Sequence, residues 1–121
     1  MNVLNLIGRN KPLFEVDIMT NANKIKSIVE SSSFLVIGGA GSIGQAVVKE
    51  IFKRNPLKLH VVDISENNMV ELVRDIRSSY GYINGDFRTF SLDIGSTSFN
   101  NLAVLSFTIL LFKYETCVIA I

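Results

Sequence analysis

The sequence is poor in the residues that usually announce a site. One cysteine, one histidine, two prolines and no tryptophan stand in 121 residues. With Cys117 alone no internal disulfide can form, and a reducing, cytoplasmic setting is the natural expectation. His60 lies between apolar strand-like residues, where packing is its simplest role. No His, Cys and carboxylate set stands at metal-ligand spacing, so no metal site is expected. Charge is balanced at 12 basic and 11 acidic residues, net +1. The two signs alternate along the chain, which excludes the basic footprint of a nucleic-acid binder. No apolar run approaches the roughly 20 residues of a spanning helix. Leu102 to Phe112 comes nearest, broken by Ser106 and Thr108 and followed by Lys113 and Glu115. The start, MNVLNLIGRNKPLF, lacks the basic segment and unbroken apolar core of a secretory signal. Repeats and low-complexity tracts are absent.

What the sequence does have is glycine in one place. Phe34-Leu-Val-Ile-Gly-Gly-Ala-Gly-Ser-Ile-Gly44 is an apolar run that breaks into glycines and resumes as a helix. Gly38, Gly41 and Gly44 make a GxxGxxG spacing; Gly39, Gly41 and Gly44 make GxGxxG. Either register meets the needs of a dinucleotide site: a sharp exit from a strand, close approach of a pyrophosphate to the backbone, and close packing of helix on sheet. The amides of the helix N-terminus then face phosphate. A tight strand-to-helix turn without a ligand is the competing reading.

The flanking pattern fits the same unit. Phe34 to Ile37 is continuously apolar, as a parallel strand buried on both faces requires. Ile43, Ala46, Val47 and Ile51 then fall at helical spacing, and Asn55-Pro56 ends the helix. Leu59 to Val62 forms a second apolar run ending in Asp63, about 20 residues beyond Gly44, where an acidic group accepts hydrogen bonds from the adenosine ribose. A loop or helix-capping carboxylate is the alternative. Ser65 is placed to cap a helix with Met69, Leu72, Val73 and Ile76 inward. After a loop over 78–86, Arg88 to Gly95 reads as a third strand ending at Asp93 and Ile94, candidates for the adenine edge and face, or else an ordinary turn. An earlier short helix is expected over Asn23–Glu30 from Ile25, Ile28 and Val29. The division is therefore a leader and helix over 1–33, a βαβαβ unit over 34–96, and an atypical apolar tail over 97–121 with Thr116–Ile121 as a candidate fourth strand. The fold class is α/β, a partial Rossmann-type doubly wound parallel sheet of three to four strands.

The runs VIGGAGSIGQAVVKEIFKRNP and HVVDISENNMVELVRDIRSSYG, with the FSLDIGS strand end, resemble the extended short-chain dehydrogenase/reductases. More narrowly they resemble the nucleotide-sugar 4,6-dehydratases and epimerases of capsule and O-antigen polysaccharide biosynthesis, of the UDP-N-acetylglucosamine 4,6-dehydratase type. The likeness covers residues 1–96 and is strongest over 34–95. It implies that Gly38, Gly41, Ser42, Ile43 and Gly44 line a pyrophosphate, that Asp63 meets the ribose, and that Asp93 and Ile94 meet the adenine. It also implies a redox cycle in which NAD or NADP takes a hydride from sugar C4, water leaves across C5 and C6, and the hydride returns to C6. Asp63 favours NAD, because a carboxylate repels a 2′-phosphate; Lys58 and Arg74 keep NADP open as the alternative.

Such chemistry needs a tyrosine with a lysine four residues on. The tyrosines are Tyr80, Tyr82 and Tyr114, and those positions hold Asn84, Asp86 and Val118. No catalytic residue is therefore expected in these 121 residues, and a nucleotide sugar is a partner only for a full-length relative. From Thr97 the sequence leaves the family pattern, which reads as a truncated or frame-shifted product, with a deliberately minimal domain as the alternative. The tail, high in β-propensity and low in charge over 99–112, is expected to self-associate if nothing covers it. Beside the nucleotide-binding fragment, two other functions stay open: a stand-alone nucleotide-sensing module, and a remnant or interaction piece that binds no nucleotide and is held by its apolar tail to a partner or, less expected, a membrane.

Overall fold

The computed structural model describes residues 15–98, 100–101 and 115–120. Helix α1 (Glu15–Glu30) leads into β1 (Ser32–Ile37), followed by α2 (Ser42–Phe52), β2 (Lys58–Asp63), α3 (Glu66–Ser79), β3 (Asp86–Ser91) and β4 (Glu115–Ala120). The four strands form one sheet in the order β3-β2-β1-β4. Every neighbouring pair is parallel, with Phe34 aligned between Leu59 and Cys117. This is a partial Rossmann-like α/β fold.

Alternation along the strands sorts their side chains between two faces. Phe34 and Val36 of β1 and Leu59 and Val61 of β2 meet Val48, Ile51 and Phe52 of α2 and Met69, Leu72 and Ile76 of α3 in one core. Both crossover helices thus cover the same face, as right-handed βαβ connections demand. Leu35 and Val62 belong to the opposite face, with Ile37, Phe90 and Leu92 beside them. The chain then reverses direction across the sheet, so β4 joins β1 on the side away from β2. The gap between β1 and β4 at their C-terminal ends is the topological switch point, where ligands of such sheets bind.

Burial decides these elements more than surface charge does. Helix α3 buries Met69, Leu72 and Ile76, each side chain contributing about 2 kcal/mol. Its exposed Arg74–Glu71 pair, at 3.5 Å, is of the kind that adds less than about 1 kcal/mol. The N-terminus is capped as its sequence predicts: Ser65 Oγ accepts from Asn68 N at 3.3 Å. At the far end Arg77 donates to Gly81 O at 2.8 Å and lies 4.1 Å from the centre of the Tyr82 ring, holding the loop into β3. Asn55, at φ 59°, ends α2 ahead of the buried Pro56, and its Oδ1 accepts from Asn84 N at 3.2 Å.

Three expectations are corrected. The first helix starts at Glu15, not Asn23: Ile18, Ala22, Ile25 and Val29 follow one helical stripe, and Glu15 and Asp17 suit the positive end of the dipole. Thr20, Asn21 and Asn23 hide that stripe from a propensity reading. On α2 the inward residues are Gly44, Val48, Ile51 and Phe52, while Ile43 is exposed, because a glycine and not an isoleucine occupies the position closest to the turn. Strand β3 runs from Asp86 to Ser91, so Asp93 and Ile94 lie in the loop beyond it. Strand β4 does form from the sequence around Thr116, in register with β1. Positions 99, 102–114 and 121 of the tail, which include the run Leu102 to Phe112, and the leader 1–14 lie outside the described residues.

His60 is 2% exposed, and its Nε2 lies 3.0 Å from Asp86 Oδ2. An ionised carboxylate only accepts, so Nε2 carries the proton of the neutral ring. Burial holds the His60 pKa below 6.5, against the pull of Asp86. For Asp86 burial works the other way, but hydrogen bonds from His60 and Arg88 outweigh it and hold the carboxyl below 3.8. Both folded-state values are depressed, so both groups stabilise the fold at neutral pH and lose that contribution on acidification: His60 below pH 6.5, Asp86 below pH 3.8. Thermal melts between pH 7.5 and 5 should show a melting temperature that is flat above about 6.5 and falls below it. In His60→Gln, which keeps a donor toward Asp86 and does not titrate, the slope between pH 6.5 and 5 should largely vanish. Parallel curves for the two proteins would show that His60 does not set it.

Candidate nucleotide site

The segment between β1 and α2 is tied to the end of β2. Gly38 N and Gly39 N both donate to Val62 O, at 2.7 and 3.4 Å, and Ala40 N donates to Asp63 Oδ2 at 3.1 Å. Gln45 Nε2 closes the turn from the helix side by donating to Ala40 O at 2.8 Å. The four glycines of the turn answer four different conditions. Gly38 has φ 78°, the left-handed region that favours glycine. At Gly39 a Cβ would run into Val61 Cγ1 and crowd Val48. At Gly44 it would strike the carbonyl oxygen of Gly38 and come within 2.7 Å of Gly39 Cα.

Gly41 is different. It is the N-cap of α2 with φ −73° and ψ 173°, a conformation open to any residue, and no side chain caps the helix there. A Cβ would meet only Gly38 O, at 3.7 Å. Nothing among the described residues requires glycine at this position. The first intrahelical bond is Gln45 N to Gly41 O at 2.8 Å, so the first-turn amides of Ser42, Ile43 and Gly44 precede the helical ladder and can serve an external acceptor.

Beside the turn lies a small cavity of about 210 Å³ lined by Ile37, Gly38, Asp63, Ile64, Leu92, Asp93 and Ile94. It brings together Gly38, Asp63, Asp93 and Ile94 from three loops at the C-terminal edge of the sheet. Gly41, Ser42 and Ile43 stand apart on the adjoining start of α2, and Gly44 is buried under the turn. The cavity is smaller than a site enclosing a drug-sized ligand, typically above about 300 Å³, and matches a ring more than a whole dinucleotide. Both carboxylates already have partners in the chain. Asp63 Oδ1 accepts from Ser65 N at 2.9 Å, so Asp63 serves as a loop carboxylate at the start of α3. Asp93 Oδ1 accepts from Gly95 N at 2.9 Å, which makes Asp93 a turn aspartate. A larger cleft of about 430 Å³ between α3 and β3 includes Met69, Val73, Arg74 and Thr89 but no residue of the glycine turn.

Among the described residues no His, Cys, Asp and Glu group could hold a metal ion. Tyr80 caps the C-terminus of α3 and Tyr82 follows in the loop into β3, at the opposite edge of the sheet from the glycine turn. Tyr114 lies outside the described residues.

The model of a family described as polysaccharide biosynthesis protein matches residues 34–98, more than half of the chain. The chain belongs to this family. It is also similar to an uncharacterized membrane protein of Methanocaldococcus jannaschii, 39% identical over 54 residues, which are 45% of this chain and 16% of that protein. The likeness therefore covers about a sixth of that relative's length. Among the described residues no helix is long and apolar enough to cross a membrane.

The stretch matching the polysaccharide biosynthesis family contains all eight candidate residues. Sequence reasoning passed over Ile37, Ile64 and Leu92, which give the cavity its apolar walls. Ile64 is 74% exposed, and its place directly after Asp63 was the available signal, since a large apolar residue just beyond a strand end has no core to enter. Ala40 was also missed, because its role is made by its amide and no side-chain pattern reports it.

Gly41 and Gly44 separate in stability. Gly41→Ala should leave chemical denaturation within about 1 kcal/mol of the wild type. Gly44→Ala should cost more than about 2 kcal/mol, because a backbone carbonyl cannot move aside for the new methyl. Equal losses in the two variants would contradict this geometry.

Proposed function

We propose that the chain binds NAD at the β1–α2 turn, as the nucleotide-binding portion of a nucleotide-sugar 4,6-dehydratase or epimerase-like protein of surface polysaccharide synthesis. The observation that supports the reading is Gly41. Its absent side chain relieves no contact among the described residues and leaves open the space before the helix amides, which is where a pyrophosphate would need to approach the backbone. Gly38, Ser42, Ile43 and Gly44 form the rest of that cradle. Asp63 would meet the adenosine ribose and disfavour a 2′-phosphate by charge repulsion, and the apolar cavity with Ile94 and the Asp93 loop would take the adenine.

When bound, NAD would supply a hydride acceptor and donor. The side chains described here would bind and orient it, while these 121 residues contain no Tyr-x-x-x-Lys to act on a sugar. The proposal is thus a nucleotide-binding role for this chain and a dehydratase role only for a longer relative. A stand-alone nucleotide-sensing module would use the same residues.

Calorimetric titration with NAD⁺ and NADP⁺ tests the reading. Saturable binding of NAD⁺, weaker binding of NADP⁺, and loss of both in a Gly41→Val variant that retains its circular dichroism spectrum are expected. Absence of binding by the folded wild type would leave the glycine turn as architecture only.

A further inference from the structure

We infer that Asp63 is a positioning residue for the glycine turn as well as a ribose acceptor, so that it acts on parts of a nucleotide it does not touch. The inference rests on the nucleotide-binding reading above but begins from the free chain. Asp63 Oδ2 accepts from Ala40 N at 3.1 Å, and Oδ1 accepts from Ser65 N at 2.9 Å. Ala40 is 1% exposed and sits between Gly39 and Gly41, at the centre of the turn. Ser65 is the N-cap of α3. One carboxylate therefore joins the turn before α2 to the start of α3. Both bonds are charge-assisted, the stronger class. The other ties of the turn to β2, from Gly38 N and Gly39 N, end on the backbone oxygen of Val62, whereas the Asp63 tie is made by a side chain.

A carboxylate offers about four acceptor positions. Two are occupied from within the chain, leaving two for ribose hydroxyls. The internal bonds hold the carboxylate in one orientation, and the same bonds hold Ala40, next to Gly41. A substitution that frees Ala40 thus loosens the cradle that would receive the pyrophosphate. A carboxylate serving only as a ribose acceptor would predict no effect on a nucleotide lacking those hydroxyls. A positioning carboxylate predicts weaker binding of that nucleotide too.

The test has two arms on the full chain. In the first, amide hydrogen exchange is followed by NMR in the free wild type, Asp63→Asn and Asp63→Ala. In Asp63→Ala the amides of Ala40 and Ser65 should both exchange at least about tenfold faster, while those of Val36 and Val61 hold. In Asp63→Asn one of the two should lose protection, since a carboxamide has a single acceptor oxygen. In the second arm, NAD⁺ and its analogue lacking both hydroxyls of the adenosine ribose are titrated into each protein. The analogue should bind Asp63→Ala about tenfold more weakly than it binds the wild type. Unchanged exchange at Ala40 and Ser65, or a loss confined to NAD⁺ with the analogue unaffected, would overturn the inference. If the wild type binds neither nucleotide, the nucleotide-binding reading fails, and the exchange arm still decides whether Asp63 positions the turn. If Asp63→Ala also loses protection at Val36, the two amides in Asp63→Asn decide it.

Discussion

The contact on which the molecule turns is the approach of Gly44 to the carbonyl of Gly38, closer than any side chain would allow. It brings the first turn of α2 directly onto the end of β1, and so fixes where the helix can lie over the sheet. From there Val48, Ile51 and Phe52 reach the core shared with β2 and α3. It also aims the start of α2 over the C-terminal edge of the sheet. The packing of the fold and the direction of its free amides are consequences of one missing methyl group.

The two edges of the sheet are finished in different ways. At the N-terminal edge several groups pair within the chain: His60 meets Asp86, Arg77 closes the loop onto Gly81 and Tyr82, and Asn55 receives the amide of Asn84. At the C-terminal edge the first-turn amides of α2 and the open flank of Gly41 lie at the end of β1, which borders the switch point between β1 and β4, and the loops after β1, β2 and β3 line the small cavity. Polar groups left outside the ladder at a strand-to-helix junction are the ordinary place for a ligand in sheets of this topology. Tyr80 and Tyr82 belong to the N-terminal edge, so neither can reach a group bound at the other.

Much of this was legible in the residues. The apolar runs from Phe34 and Leu59, the glycine spacing and the Ser65 cap each have a period or a position that dictates one local structure, and the structure contains them. Where reading failed, the deciding contact had no side-chain signature. Ile43 fits a helical stripe on paper, yet Gly44 faces the sheet, because a position that must touch backbone is filled by absence. The strand boundary at Ser91 reads as Asp93 because Leu92 continues the apolar pattern and its amide still donates to Asp63 O, one step beyond the last paired residues. The individual roles of the glycines were equally hidden: GxxGxxG and GxGxxG are indistinguishable until φ at Gly38 and the clash at Gly39 separate turn from packing.

That separation bears on how a glycine motif is read at all. A glycine that the fold itself demands is silent about ligands, since the turn would need it with or without one. Gly38, Gly39 and Gly44 are of this kind, by φ in the first case and by contact in the other two. Gly41 meets neither condition, and as a helix cap it is inferior to the serine or aspartate that its backbone geometry would accept. A position that gives up a better cap without any internal return is explained most simply by something outside the chain that needs the space. The weight of the motif therefore falls on its least constrained member, and the remaining glycines describe only the scaffold that presents it.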